Sequence, residues 1–113
     1  MSYYNGPKVV TDGLRSFLDA GNQKSYIGSG TSFIDISNNG NNGTLTNSPT
    51  FSNIGGGSIL FDGTNYVALG NLGSFYTQGT LSFWMYSTAV ENYRNPVSTK
   101  REGGNACMRF EQY

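Results

Sequence analysis

Seven carboxylates, Asp12, Asp19, Asp35, Asp62, Glu91, Glu102 and Glu111, are the charged groups in this 113-residue chain with most scope for chemistry, and they stand apart from one another. Glycoside hydrolysis needs two carboxyl groups held about 5 to 10 Å apart, commonly presented at alternate positions of one strand. No Glu-x-Glu or Glu-x-Asp pair occurs. Histidine is absent, which removes the commonest general base and with it the Ser/His and Cys/His nucleophile pairs. Asp12 and Asp62 each precede a glycine, where an aspartate side chain accepts from nearby backbone amides and fixes a turn. The expectation is a chain with no catalytic residue, and not an enzyme.

Binding chemistry has more to work with. A calcium ion takes roughly six to eight oxygens. Asp35 and Asp62 are the candidate metal ligands, with Asn38, Asn39 and Asn41 as further oxygen donors if their loops converge. No other cofactor is expected: Gly28-Ser29-Gly30 and Gly55-Gly56-Gly57 lack the Lys-Ser/Thr and the strand-to-helix setting of a phosphate loop. Sugars are held by aromatic faces and planar amides. Tyr26, Asn39, Asn41 and Tyr93 are the candidate carbohydrate-binding residues, Tyr93 from a loop. Trp84, Phe61, Phe83 and Tyr66 are assigned to the core, since large aromatics dominate core burial.

The remainder of the composition excludes several partners. Seven basic and seven acidic residues cancel, only 12% of the chain is charged, and Lys100-Arg101 is the single basic pair. That leaves no electrostatic footprint for nucleic acid and no polybasic contact for a membrane. The lone Cys107 has no internal disulfide partner, no apolar run approaches the roughly 20 residues of a membrane span, and the opening Met-Ser-Tyr-Tyr-Asn lacks the features of a secretory signal. Synthesis in a reducing cytoplasm is the expectation, and the formal glycosylation sequon Asn42-Gly43-Thr44 is discounted with it.

The elements that must position these residues are short strands. Sixteen glycines, eight tyrosines and seven phenylalanines mark tight turns between aromatic, β-favouring segments. Strands are predicted near Lys8 to Thr11, Leu14 to Asp19, Phe33 to Ile36, Thr44 to Thr46, Ser58 to Asp62, Tyr66 to Leu69, Thr80 to Ser87, Pro96 to Thr99 and Ala106 to Gln112. Ile59 to Leu69 reads as a hairpin around Asp62-Gly63, with Leu60, Tyr66 and Ala68 on one face and Ile59, Phe61, Val67 and Leu69 on the other. Leu81 to Tyr86 carries apolar groups on both faces at its second half and reads as a central strand. The fold class is all-β, an antiparallel sandwich, and residues 1–113 read as a single domain that ends abruptly on a strand-like segment.

Four blocks in order then carry a resemblance. Gly13-Leu14 with Phe17-Leu18-Asp19-Ala20-Gly21-Asn22, Ser25-Tyr26 and Gly28-Ser29-Gly30-Thr31 forms the first; Asp35 through Asn47 forms the second. Gly56 through Tyr66 and Leu81-Ser82-Phe83-Trp84 complete the set. They resemble concanavalin A-like lectin/glucanase domains of the laminin G-like jelly-roll type found in virion proteins of tailed bacteriophages. The likeness covers Val9 to about Tyr86, the first part of such a domain. It departs from the family at Phe33, where tryptophan is frequent, at Arg15 in a usually apolar strand, and at a missing acid between Asn65 and Tyr66. The resemblance implies a jelly-roll sandwich incomplete at its C-terminus. It also implies a structural accessory protein of a phage particle: a capsid decoration, neck, baseplate or fibre component localised to the virion, with other virion proteins and further copies of itself as partners. The alternative it implies is a carbohydrate-binding module for host-surface glycans, with or without calcium.

Overall fold

The computed structural model of the chain describes residues 9–70, 72 and 79–87, and the backbone of 98–99 and 108–109. Two compact units, Met1–Tyr76 and Thr77–Tyr113, are taken in turn.

Among the described residues the first unit has five strands: β1 (Ser32–Phe33), β2 (Gly43–Thr46), β3 (Thr50–Ser52), β4 (Ser58–Leu60) and β5 (Tyr66–Leu69). A single 3₁₀ turn, Ile54–Gly56, is the only helical element among the described residues. The strands form two antiparallel sheets, one ordered β1-β2-β5 and one pairing β3 with β4. The architecture is all-β and antiparallel, as the composition led one to expect.

Alternation explains which groups turn inward. In β2 the pattern buries Gly43 and Leu45 and exposes Thr44, as a period of two requires. Leu45 stands opposite Val67 of β5, and both face inward. Tyr26, Phe33 and Leu45 are the buried apolar residues, with Leu18, Ala20, Phe51, Ile59 and Val67 packed around them. Both sheets therefore feed one core: Phe33, Leu45 and Val67 from the first, Phe51 and Ile59 from the second. The Tyr26 ring lies 5.7 Å from Phe33 and 5.5 Å from Phe51, tilted by 59° to each, an edge-to-face-like arrangement that aromatic quadrupoles favour.

Several expectations need correction. The hairpin across Asp62-Gly63 does not form as a pair, because β4 pairs with β3 and β5 with β2. The turn itself is present, but Asp62 and Asn65 side chains close it, not a backbone ladder. The Asp62 carboxylate accepts from the Thr64 amide (2.8 Å) and hydroxyl (2.7 Å), while the Asp62 amide donates to Asn65 Oδ1 (3.0 Å). A turn closed by side chains sets no register between its flanks, so each strand takes the neighbour that buries its inward residue.

Tyr66, expected in the core, is 53% exposed because it alternates outward from Val67. Phe61, 51% exposed, lies beyond the end of β4. Residues 9–11 and 14–19 form no regular strand.

In the second unit, β6 (Ser98–Thr99) pairs antiparallel with β7 (Met108–Arg109). The segment 80–87, expected to be a strand with Leu81 to Tyr86 central, is not in regular strand, and Phe83 and Trp84 are exposed and not core. A strand is buried on both faces only when ladder neighbours hold it inside a covered sheet, and none of the described strand pairings includes 81–87. Among the described residues no helix is long and apolar enough to cross a membrane.

Candidate functional site

The chemistry-bearing residues of the first unit separate into three places. The first is a polar knot around Asp35, a carboxylate only 6% exposed. Its Oδ1 accepts from the amides of Phe17 (2.8 Å) and Ser37 (2.9 Å), and its Oδ2 from the Ser37 hydroxyl (2.8 Å) and the Asn41 amide (3.0 Å). A carboxylate offers about four lone-pair positions, and here four donors occupy them. Burial, the largest influence, works against the charge, yet the hydrogen bonds from Phe17, Ser37 and Asn41 together outweigh it and hold the Asp35 carboxyl below the ordinary 3.8.

Two neighbouring asparagines extend the knot. Asn39 donates from Nδ2 to the Leu14 carbonyl (2.7 Å), and Asn41 from Nδ2 to the Arg15 carbonyl (2.6 Å). The Ile36 amide adds a backbone bond to the Phe17 carbonyl (2.9 Å). The segment Leu14–Phe17 thus lies along loop 35–41, held mostly by side chains. That is the physical reason the strand expected there is not one: its backbone groups are satisfied by Asp35, Asn39 and Asn41 in place of a ladder.

A second knot sits beneath the Tyr26 loop. Ser25, 1% exposed, donates from its hydroxyl to the Ile34 carbonyl (2.6 Å) and accepts from the Asp19 amide (3.0 Å). Asp19 Oδ1 in turn accepts from the Gly21 amide (2.9 Å). These bonds bring Ala20-Gly21 against Gly57: a Cβ on Gly57 would lie 2.7 Å from Gly21 Cα and 2.8 Å from the Ala20 carbonyl oxygen, and Gly57 holds φ +116°. Only glycine accommodates both the backbone angle and the approach.

The third place is a pair of hollows beside Phe51. One, of about 260 Å³, is lined by Tyr26, Ser29, Thr31, Ser48 and Phe51 among others; the second, of about 200 Å³, shares Tyr26, Gly28 and Phe51 with it and adds Gln23 and Asn53. Every residue lining either hollow is uncharged. Asn47 and Ser48, at the turn between β2 and β3, have φ of +60° and +54°. The left-handed region costs a non-glycine residue about 1 kcal/mol, and asparagine tolerates it better than serine does.

Set against the sequence, the candidates divide. Asn39 and Asn41 meet Asp35 in the first knot, where their amides are spent on main-chain carbonyls. Tyr26 is a core residue, 4% exposed, whose hydroxyl donates to the Gly30 carbonyl (3.0 Å) and whose ring packs on Phe33 and Phe51; it contributes a wall to the hollows but no free face. Asp62 is exposed in its own turn, its carboxyl also held low, chiefly by the Thr64 hydroxyl and then by the Thr64 amide. No hydrogen bond joins Asp62 to the Asp35 knot, and no group of three His, Cys, Asp or Glu side chains is poised to hold a metal among the described residues. Tyr93 lies outside the described residues.

Sequence reasoning missed Phe51 and Ser48. β3 went unassigned between two turn clusters, although Thr50-Phe51-Ser52, with β-branched and aromatic residues, carried a short strand signal. Comparison with protein-family models, with curated proteins and with solved structures returned no match.

Proposed function

We propose that the chain is a non-enzymatic structural accessory component of a tailed-phage particle, using a concanavalin A-like jelly-roll scaffold for protein contacts. The observation that carries this reading is the use made of the motif residues. Asp19, Gly21, Asn22 and Ser25 of the first resembling block, and Asp35, Ser37, Asn39, Asn41 and Asn42 of the second, are engaged in hydrogen bonds that shape the loops. Residues spent in this way make a scaffold, and among the described residues they leave no carboxylate pair over for catalysis. The antiparallel all-β architecture and the neutral composition support the same reading.

On this proposal the partners are other particle proteins and further copies of the chain, since particle parts assemble symmetrically. The protein is made in the host cytoplasm and resides in the virion. Mass spectrometry of purified particles of the phage encoding the chain is expected to find it at stoichiometric level; particles devoid of it would end the proposal.

A second reading, a carbohydrate-binding module, is favoured by the uncharged hollows beside Phe51, where aromatic walls meet hydroxyls and amides. A glycan array probed with and without Ca²⁺ is expected to show neutral glycans retained, and a blank array under both conditions removes this reading.

A further inference from the structure

We propose that the two hollows flanking Phe51 are adjoining subsites for consecutive rings of a neutral oligosaccharide, with Phe51 as their shared wall. The inference rests on the carbohydrate-binding reading and gives it a location that the sequence candidates Tyr26, Asn39 and Asn41 do not.

Polar groups and apolar wall alternate: Ser29, Thr31 and Ser48 line the first hollow, Gln23 and Asn53 the second, and the half-buried Phe51 ring stands in both. The hydroxyls of Ser29, Thr31 and Ser48 and the amides of Gln23 and Asn53 make no hydrogen bond to any described residue, so they are free for a ligand. Serine and threonine hydroxyls both donate and accept, matching a ligand whose own hydroxyls do both.

The size and charge of the hollows narrow the class. Volumes of about 260 and 200 Å³ lie under the roughly 300 to 1,000 Å³ of pockets that enclose a drug-sized ligand, so each takes one ring. An uncharged lining gives no counter-charge to a phosphate, sulfate or uronic acid. A pyranose, with an apolar C–H face for Phe51 and equatorial hydroxyls for the rim, fits both conditions.

Gly28 makes the pair continuous. It lines both hollows at φ +93°, and a Cβ there would stand 3.5 Å from Phe51 Cε1, in the space between the two. Ser48 completes the case, because it lines the first hollow while keeping a left-handed φ of +54° that glycine would adopt without strain.

The test is a ¹⁵N-HSQC titration of the full chain with neutral glucose- and galactose-based tetrasaccharides, up to about 10 mM for affinities on the order of 1 mM. Shifts are expected at Gly28, Ser29, Gly30, Thr31, Ser48 and Phe51. Ser48→Gly is expected to raise the melting temperature while weakening binding about fivefold, the equivalent of one lost hydrogen bond, and Thr31→Val to weaken it similarly with the fold kept. A stabilised Ser48→Gly that binds as well as the parent overturns the proposal. Shifts confined to loop 37–42 or to 79–87 overturn the location and leave the carbohydrate reading standing. No shift with any sugar overturns both.

Discussion

Asp35 is a buried charge whose role is mechanical. It gathers amides from Phe17, 18 positions away, and from Ser37 and Asn41 of its own loop, and a neutral amide in its place has one acceptor oxygen and brings two donors against N–H groups. Asp35→Asn is expected to destabilise the first unit by about 3 kcal/mol, read from urea midpoints. Because the folded carboxyl titrates below 3.8, its contribution is fully present above that value and is lost as pH falls through the folded value, where the unfolded chain already binds the proton. Stability should therefore be flat from neutral pH to about 5 and decline below about 4, and the Asn variant should lose most of that slope. An unchanged acid slope in the variant would place the titration elsewhere. The same saturation of Asp35 bears on calcium: adding Ca²⁺ or a chelator is expected to leave the melting temperature within about 1 °C, since a metal would have to displace four hydrogen bonds to reach this carboxylate. A clear upward shift with Ca²⁺ would show that the loop reorganises around the ion.

At the level of elements, contacts between loops decide as much as the ladders do. The turn around Ile54–Gly57 abuts Ala20-Gly21 backbone to backbone, and neither side can yield as a flexible side chain would. Gly57→Ala is expected to cost about 3 kcal/mol, combining the left-handed penalty with overpacking. Gly40→Ala makes the informative control: Gly40 also has positive φ, +72°, but nothing lies within 4 Å of the added methyl, so only about 1 kcal/mol is expected. Equal costs in thermal or denaturant unfolding would mean that the close approach contributes nothing. The strand Tyr66–Leu69 was legible in advance because an alternating apolar run between turn residues has few alternatives. Its partner was not. Asp62-Gly63 signals a turn wherever it occurs, but which strands pair across the sheet depends on whose inward residue fills the core, and that is β2's Leu45 against Val67. Phe51 was illegible for a related reason: three residues between two turns carry little periodicity, and the strand exists because β4 lies opposite it.

On the scale of the whole molecule, the described part of the first unit rests on a core of three buried apolar residues and their half-buried neighbours. A small core leaves little margin, since domains are stable by only about 5 to 15 kcal/mol. Leu45→Ala, truncating a buried core residue of β2, is expected to cost about 3 kcal/mol and to abolish a cooperative thermal transition at physiological temperature; a variant with an unshifted midpoint would show that the core lies elsewhere. Composition and charge by themselves determined that the chain is built of short antiparallel strands and offers little charge to nucleic acid, because glycine-rich turns, aromatic and β-branched runs and a cancelled net charge act locally or as sums. Of the candidate polar residues, Asp35, Asn39 and Asn41 come together while Asp62 stands apart in its own turn. Only the tertiary structure decided where they stand: that Asp35, Asn39 and Asn41 lock a segment in place, that Tyr26 is core, and that Ser29, Thr31 and Ser48 line a hollow with Phe51. Those outcomes depend on which distant backbone carbonyls, amides and rings come within reach, and residue spacing along the chain carries no record of that.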